Sequence, residues 1–342
     1  MNSPAEQIAL LRKQMGGSLL IMAHHYQRSS VIRHADETGD SLELAKKTAL
    51  HPETERIVFC GVRFMAESAD ILSSERQTVY MPDTSAGCPM AGMATEKAMM
   101  RAWERLTDVS DDWIPVVYVN STAGIKACCG RLGGSSCTSS NAARVMQWAF
   151  DKGKKVLFIP DEHLGRNTAR DLGIPDSEVA VYDPTANHGG LDSQTVSESR
   201  IVVWKGYCLV HTAFTADAVR QVRSLDPDAK IILHPEAPRD AVDIADAHGS
   251  TSQIIRYVEE AEDGSTIVIG TEINLVERLA EMHRDRIRIK ALIPSVCANM
   301  SKTNEESLLD ILKKWPEQNE VHVPATESED ARRALEVMLD LK

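Results

Sequence analysis

The stretch TVYMPDTSAGC, residues 78–88, is an apolar, strand-like run that ends in a cysteine and precedes a helix-like stretch. The same order recurs in RIVVWKGYC, residues 200–208, and in IRIKALIPSVC, residues 287–297. Ligands of open parallel α/β sheets gather at the carboxyl ends of strands, so three such ends can bring three thiolates to one point. The recurrence therefore predicts a metal or cluster site whose ligands are Cys88, Cys208 and Cys297.

The composition is that of a globular protein, and its charge argues against some partners. The 342 residues are 43% hydrophobic and 26% charged, enough for a substantial core in two or three domains. A formal charge of −12 without an offsetting basic block argues against nucleic acid or an anionic membrane as a partner. The N-terminal residues lack the apolar core of a signal peptide and no run approaches a membrane span, so a cytoplasmic location with reduced thiols is expected.

The chain repeats one α/β pattern three times. Strand-like runs begin near Leu19, Ile114 and Lys230, and each ends in polar residues. A helix start with capping residues follows each run, at Asp40 and Ser41, at Thr138 and Ser139, and at Ser250 and Thr251. A second strand and helix come next, and a third strand leads to the cysteine. This order is typical of a small parallel sheet with right-handed crossovers.

The predicted fold class is α/β, with three similar three-layer αβα domains that have short parallel sheets and pseudo-threefold symmetry around a central active site. The predicted domains are residues 1–88, 89–208 and 209–297, with residues 298–342 packing back on the first. In the longer middle unit, the polar segment at residues 174–199 is expected to loop over the surface. The open alternative is three domains with separate clefts, in which each cysteine is a buried small hydrophobe.

A series of motifs lies in order along nearly the whole chain: AHHYQ at residues 23–27, GDS at 39–41, AGCPMA at 86–91, YVN at 118–120, TSSNA at 138–142, PDEHLGR at 160–166, GYCLVH at 206–211, HPE at 234–236, GSTSQI at 249–254, GTEINLV at 270–276 and CANM at 297–300. In these motifs the chain resembles the quinolinate synthases, iron–sulfur enzymes of NAD biosynthesis. The resemblance implies a triangular arrangement of three α/β domains, in agreement with the repeat.

The reaction that the resemblance implies condenses iminoaspartate with dihydroxyacetone phosphate to quinolinate, with loss of phosphate and water. The implied cofactor is a 4Fe-4S cluster on three cysteines, whose open iron acts as a Lewis acid. Zinc is the alternative metal for three cysteines and a water. The implied partners are the two substrates and, transiently, an L-aspartate oxidase or dehydrogenase that supplies iminoaspartate.

The resemblance also implies which residues form the site. Glu236 is the candidate base and Tyr26 the candidate acid, while His24 and His234 bind substrate oxygens. The helix starts would bind the anionic groups through backbone N–H groups and positive dipole ends. The predicted catalytic residues are Tyr26, Glu236, His24 and Tyr118. The predicted substrate-binding residues are His24, Ser41, Tyr118, Asn120, Ser139, His234, Glu236 and Thr251.

The remaining polar residues of the motifs have no clear role from sequence, and we expect supporting contacts from His25, His163, His211 and Glu272. Cys60 is expected in the core, and ligation by Cys128, Cys129 and Cys137 is not expected. The alternative function is a non-catalytic iron–sulfur or redox sensor, and a weaker one is a zinc hydrolase. A sensor would not require convergent His, Tyr, Asn and Glu side chains.

Overall fold

Short strands alternate with helices in the computed structural model, which describes residues 3–48 and 50–341. The strands are β1 Leu19–His24, β2 Glu37–Gly39, β3 Arg56–Cys60, β4 Thr78–Tyr80, β5 Trp113–Tyr118, β6 Ser135–Cys137, β7 Lys155–Ile159, β8 Val179–Tyr182, β9 Ile201–Trp204, β10 Lys230–Leu233, β11 Ala247–His248, β12 Thr266–Gly270, β13 Arg288–Ala291 and β14 Glu320–Val321.

The helices differ more in length than the strands. They are α1 Pro4–Met15, α2 Ser29–Ile32, α3 Ser41–Thr48, α4 Arg63–Leu72, α5 Glu96–Thr107, α6 Ala123–Arg131, α7 Ala142–Asp151, α8 Glu162–Asp171, α9 Ser193–Glu198, α10 Ala216–Leu225, α11 Arg239–Val242, α12 Thr251–Glu259, α13 Ile273–Met282, α14 Glu305–Lys314 and α15 Ala325–Asp340. Among these described helices, none has both the length and the apolar character that a membrane span requires.

The strands form three sheets that share one strand order. Four parallel strands are arranged as β2-β1-β3-β4 in the first sheet, β6-β5-β7-β9 in the second and β11-β10-β12-β13 in the third. The first sheet gains β14, antiparallel to β4, and the second gains β8, parallel to β9. The predicted α/β class with several short parallel sheets is therefore confirmed. The pseudo-threefold symmetry and the domain boundaries stay predictions.

The first strand of each sheet is central and apolar. β1 is buried along its whole length, as is β5, and three of the four residues of β10 are buried. Strands that are covered by helices on both faces are apolar on both faces, which explains the continuous runs in the sequence. Asp40 before α3 and Ser250 before α12 cap their helices through side chains that accept backbone N–H groups, as predicted. The predicted helix start at Thr138 and Ser139 is wrong, because α7 begins only at Ala142, after a turn.

The expectation that residues 174–199 loop over the surface is wrong in part, because this segment contains β8 and α9. Residues of β8 are alternately half-buried and buried, and Tyr182 stacks on Trp204 with ring centroids 5.3 Å apart. The Asp192 side chain accepts the backbone N–H of Thr195 and so caps α9. Both elements are short and are flanked by turn-forming residues, which hid them in the sequence.

The C-terminal segment contacts two of the units. β14 extends the first sheet and α14 packs on α1, while α15 lies against α6 and β6. The contact of α15 with α6 requires Gly130, since a Cβ at this position would overlap the carbonyl oxygen of Asp330. The segment thus contacts the first unit, as the sequence suggests, and it also connects the first unit to the second.

Candidate active site

A cavity of about 180 Å³ lies beyond the carboxyl ends of β1, β5 and β10. The chain folds so that the polar residues after each of these strands reach the same space, as parallel sheets with a common facing edge allow. All twelve predicted site residues line this cavity: His24, Tyr26, Ser41, Cys88, Tyr118, Asn120, Ser139, Cys208, His234, Glu236, Thr251 and Cys297. The structure thus brings them together, and the role of each stays a prediction.

Two histidines at strand ends share one local conformation. His24 Nδ1 accepts the backbone N–H of Tyr26 at 3.1 Å, and His234 Nδ1 accepts that of Glu236 at 3.3 Å. Burial, followed by the charge of His25, lowers the pKa of His24 well below its usual value. Burial, followed by His211, lowers the pKa of His234 to about 3. Both rings are therefore neutral with the proton on Nε2, where it can be donated to a ligand oxygen.

Glu236 is a buried carboxylate with a donor on each oxygen. Tyr118 Oη donates to Oε1 at 2.5 Å and His211 Nδ1 donates to Oε2 at 2.8 Å. Burial opposes ionisation of Glu236, but His211, His234 and these hydrogen bonds outweigh it, so its pKa is lowered. Burial, followed by the charge of Glu236, raises the pKa of Tyr118, whose hydroxyl therefore stays protonated.

Tyr26 is connected to Glu236 through His211. Tyr26 Oη lies 2.8 Å from Thr271 Oγ1 and 3.4 Å from His211 Nε2, and it accepts the hydroxyl of Thr251 at 3.1 Å. Burial raises the pKa of Tyr26, which keeps the phenol protonated. Because His211 Nδ1 donates to Glu236, its Nε2 is the ring atom that faces Tyr26. The geometry thus contains a short proton path from Tyr26 to Glu236.

The three predicted cysteine ligands differ from the other four cysteines. Cys88, Cys208 and Cys297 are partly exposed, whereas Cys60, Cys128, Cys129 and Cys137 are buried. Each of the three sulfurs accepts the backbone N–H groups two and three residues later, from Met90 and Ala91, from Val210 and His211, and from Asn299 and Met300. Such amides orient a sulfur and stabilise a thiolate, as iron–sulfur ligands require.

Burial raises the pKa of all three thiols, and that of Cys88 reaches about 12. Their charges also interact, since Cys297 raises the pKa of Cys88 and Cys88 raises that of Cys208. A thiol in such a position ionises when a metal cation binds it. Three mutually close, amide-supported thiols at one cavity fit a thiolate-bound cluster.

A second ligand group overlaps this one. Donor atoms of Cys208, His211 and Glu236 lie within 4.8 Å of one another, close enough for a single metal ion. However, His211 and Glu236 already bond to each other, and the carboxylate has a second donor in Tyr118. The side chains are thus satisfied without an ion. Metal analysis can separate a single ion from an iron–sulfur cluster.

Several residues near the cavity have clearer positions than the sequence indicated. His211, expected only to support the site, contacts Glu236 directly, and Glu272 accepts the backbone N–H of Cys297 at 3.3 Å. Thr271 was not singled out by sequence, although it lies in the GTEINLV motif. Asn167, also missed, donates to the carbonyls of Pro235 and Ala237. No local sequence pattern indicates this contact, because it joins two units.

The comparisons with known proteins agree over nearly the whole chain. The family model described as Quinolinate synthetase A protein matches residues 6–340. A quinolinate synthase of Halalkalibacterium halodurans is 46% identical over 341 residues, covering 98% of this chain and 92% of that protein. The quinolinate synthase of Bacillus subtilis is 44% identical, with the same coverage of both chains. That of Streptomyces coelicolor is 43% identical, covering 96% of this chain and 86% of that protein.

Proposed function

Because this chain belongs to the quinolinate synthase family of NAD biosynthesis, we propose that it condenses iminoaspartate with dihydroxyacetone phosphate to quinolinate, releasing phosphate and water. One observation carries the proposal: side chains from three sheets line one cavity together with three cysteines. The condensation needs this combination, because it joins two anionic substrates and moves protons at carbon, nitrogen and oxygen.

Cys88, Cys208 and Cys297 would hold a 4Fe-4S cluster, in keeping with the amides that support each sulfur. When bound, the cluster supplies an iron without a protein ligand, a Lewis acid for substrate oxygens and for dehydration. The contrast with the four buried cysteines supports this choice of ligands.

Neutral groups would bind the anionic parts of the substrates. Ser41, Ser139 and Thr251 line the cavity. Ser41 and Thr251 are the first residues of α3 and α12, where backbone N–H donors are available, and Ser139 lies in the turn before α7. The Nε2–H groups of His24 and His234 add two donors for carboxylate or carbonyl oxygens. In the described part of the chain, Asn120 Oδ1 has no hydrogen-bond partner, so it can accept an N–H from the imine substrate.

Glu236 would act as the base and Tyr26 as the acid. The carboxylate takes a proton from carbon, and Tyr118 and His211 hold it in place while it does so. Tyr26 gives a proton to a leaving oxygen, and its hydroxyl lies 3.4 Å from His211 Nε2 and 2.8 Å from Thr271 Oγ1. The buried positions of Tyr26 and Glu236 limit access of water, which would otherwise hydrolyse iminoaspartate.

The test starts with protein purified without oxygen and analysed for iron, sulfide and zinc. Iron with equivalent sulfide, and quinolinate formed from the two substrates, would support the proposal. A cluster without quinolinate formation would favour the sensor, and zinc without sulfide would refute the cluster. The Glu236→Gln variant should keep its iron and lose turnover, since an amide cannot take the proton.

We also propose a division into domains and a transient partner. The chain would divide into domains at residues 1–88 with 298–342, 89–208 and 209–297, which agrees with one sheet per unit. A transient contact with an L-aspartate oxidase or dehydrogenase would shorten the time that iminoaspartate spends in water.

A further inference from the structure

Asp40 is a buried carboxylate at the edge of the cavity, directly before Ser41, and it is 5% exposed. Its Oδ1 accepts the backbone N–H groups of Leu42 at 2.9 Å and Glu43 at 3.0 Å, at the start of α3. Its Oδ2 accepts the hydroxyl of Ser140 at 2.6 Å and that of Ser252 at 2.8 Å. The four donors come from three different units of the chain.

The positions of the two serines explain why these contacts matter. Ser140 directly follows Ser139, and Ser252 directly follows Thr251. Asp40 in turn directly precedes Ser41. One carboxylate therefore contacts a chain neighbour of each of the three hydroxyl residues that line the cavity.

The hydrogen bonds to Asp40 determine which hydroxyl protons remain available to a ligand. Hydrogen bonds to an ionised acceptor are roughly twice as strong as neutral ones. Because Ser140 and Ser252 donate to Asp40, their hydroxyl protons are not available to a ligand. A ligand oxyanion would then be bound by the hydroxyls of Ser41 and Ser139 and by the backbone N–H of Thr251, whose own hydroxyl donates to Tyr26 Oη. The relative positions of these three residues depend on the shared carboxylate.

We propose that Asp40 is a positioning residue that holds Ser41, Ser139 and Thr251 as one oxyanion subsite. This inference rests on the proposed function, in which the subsite takes a phosphate or carboxylate group of a substrate. Asp40 itself donates nothing to that ligand. It fixes three donor groups whose separate backbones would otherwise be free to move apart.

The test uses Asp40→Ala and the double variant Ser140→Ala/Ser252→Ala, which remove the two sides of the contact. Asp40→Asn is the conservative rescue, since its amide can donate to the same serine oxygens. The matched control is Asp192→Ala, because Asp192 also caps a helix but does not line the cavity. Each protein is analysed for iron and sulfide, and for KM and kcat with each substrate.

Both disruptive variants should raise KM for dihydroxyacetone phosphate by about 10-fold or more and change kcat by less than about 3-fold. The affinity for inorganic phosphate or for quinolinate, measured by thermal stabilisation, should weaken by a similar factor. Which of the two ions loses affinity shows whether the subsite takes phosphate or carboxylate. Asp40→Asn should recover most of the loss, and Asp192→Ala should match the wild type. Iron content should be the same in all variants.

Wild-type KM and ion binding in Asp40→Ala would overturn the inference, as would an equal KM change in Asp192→Ala. If the wild type makes no quinolinate, the proposed function fails, and stabilisation by the two ions still decides the role of Asp40. A wild type that neither ion stabilises would overturn the oxyanion subsite itself.

Discussion

Replacement of Asn167 by Ala is expected to slow turnover without removing any side chain from the cavity lining. Asn167 is fully buried on α8, and its Nδ2 donates to Pro235 O at 2.8 Å and to Ala237 O at 3.0 Å. These two carbonyls flank Glu236. The amide of one unit thus holds the backbone on both sides of the proposed base in another unit.

The size of the effect follows from these two bonds. Each neutral hydrogen bond contributes about 1 kcal/mol net, so the variant loses about 2 kcal/mol of restraint on the Glu236 loop. If the full 2 kcal/mol or so is added to the activation free energy, because Glu236 must be brought into position in the transition state, kcat falls by up to about 30-fold. KM should change by less than about 3-fold, because Asn167 lies outside the lining.

The assay is quinolinate formation by the iron-loaded enzyme, with kcat and KM measured for both substrates. Asn319→Ala is the matched control, since Asn319 Nδ2 donates to Met81 O at 2.8 Å and to Pro82 O at 3.4 Å, and it is also outside the lining. Wild-type kcat in Asn167→Ala, or an equal loss in the control, would refute the reasoning that Asn167 positions Glu236.

Four other outcomes are expected. Glu236→Gln should lower kcat by roughly 10²-fold or more at unchanged iron content; wild-type turnover would remove Glu236 from the role of base. Tyr118→Phe removes a hydrogen-bond donor from the Glu236 carboxylate and should raise the pKa of Glu236. The acidic limb of the pH profile of kcat/KM should therefore move to higher pH, and a limb that does not move would contradict this. Replacing any one of Cys88, Cys208 or Cys297 by Ser should abolish iron binding, whereas Cys129→Ser should leave it intact. Iron analysis of each purified variant checks this. Burial lowers the pKa of Lys126 to about 8 from 10.5, so the folded state binds this proton less tightly than the unfolded state. The free energy of unfolding should therefore fall as the pH drops through that range. In denaturant unfolding, Lys126→Met should remove this pH dependence and raise the free energy of unfolding by about 2 kcal/mol at pH 7, after allowing for the lost bond to Ser121 O.

The sequence predicted the sheets because their central strands are continuous apolar runs, as in β1 and β5. It predicted a common lining because residues after parallel strands lie at one edge of each sheet. The family motifs were needed to identify the lining residues, because a His or Tyr at a strand end is by itself no evidence of a binding site.

Other features had no local pattern to indicate them. The strands β2, β6 and β11 are two or three residues long, and β6 consists of small polar residues and a cysteine, so neither length nor alternation marked them. The bonds from Asp40 reach residues 100 and 212 positions away in the chain. Such contacts depend on how the units pack against one another, which hydrophobic periodicity does not encode.

The lining suits the two anionic substrates of the proposed reaction, although the chain as a whole is acidic. Among the described residues, it contains neither lysine nor arginine. Uncharged hydroxyl, amide and imidazole donors bind oxyanions at helix starts without a formal positive charge. An amine beside a ketone and an imine would compete in Schiff-base chemistry, because a desolvated lysine is a nucleophile toward carbonyl carbon. The buried amine of Lys126 instead donates to Ser121 O, outside the lining. In the proposed reaction, neutral donors would therefore supply anion affinity and, at the same time, protect both substrates from a competing reaction with the protein.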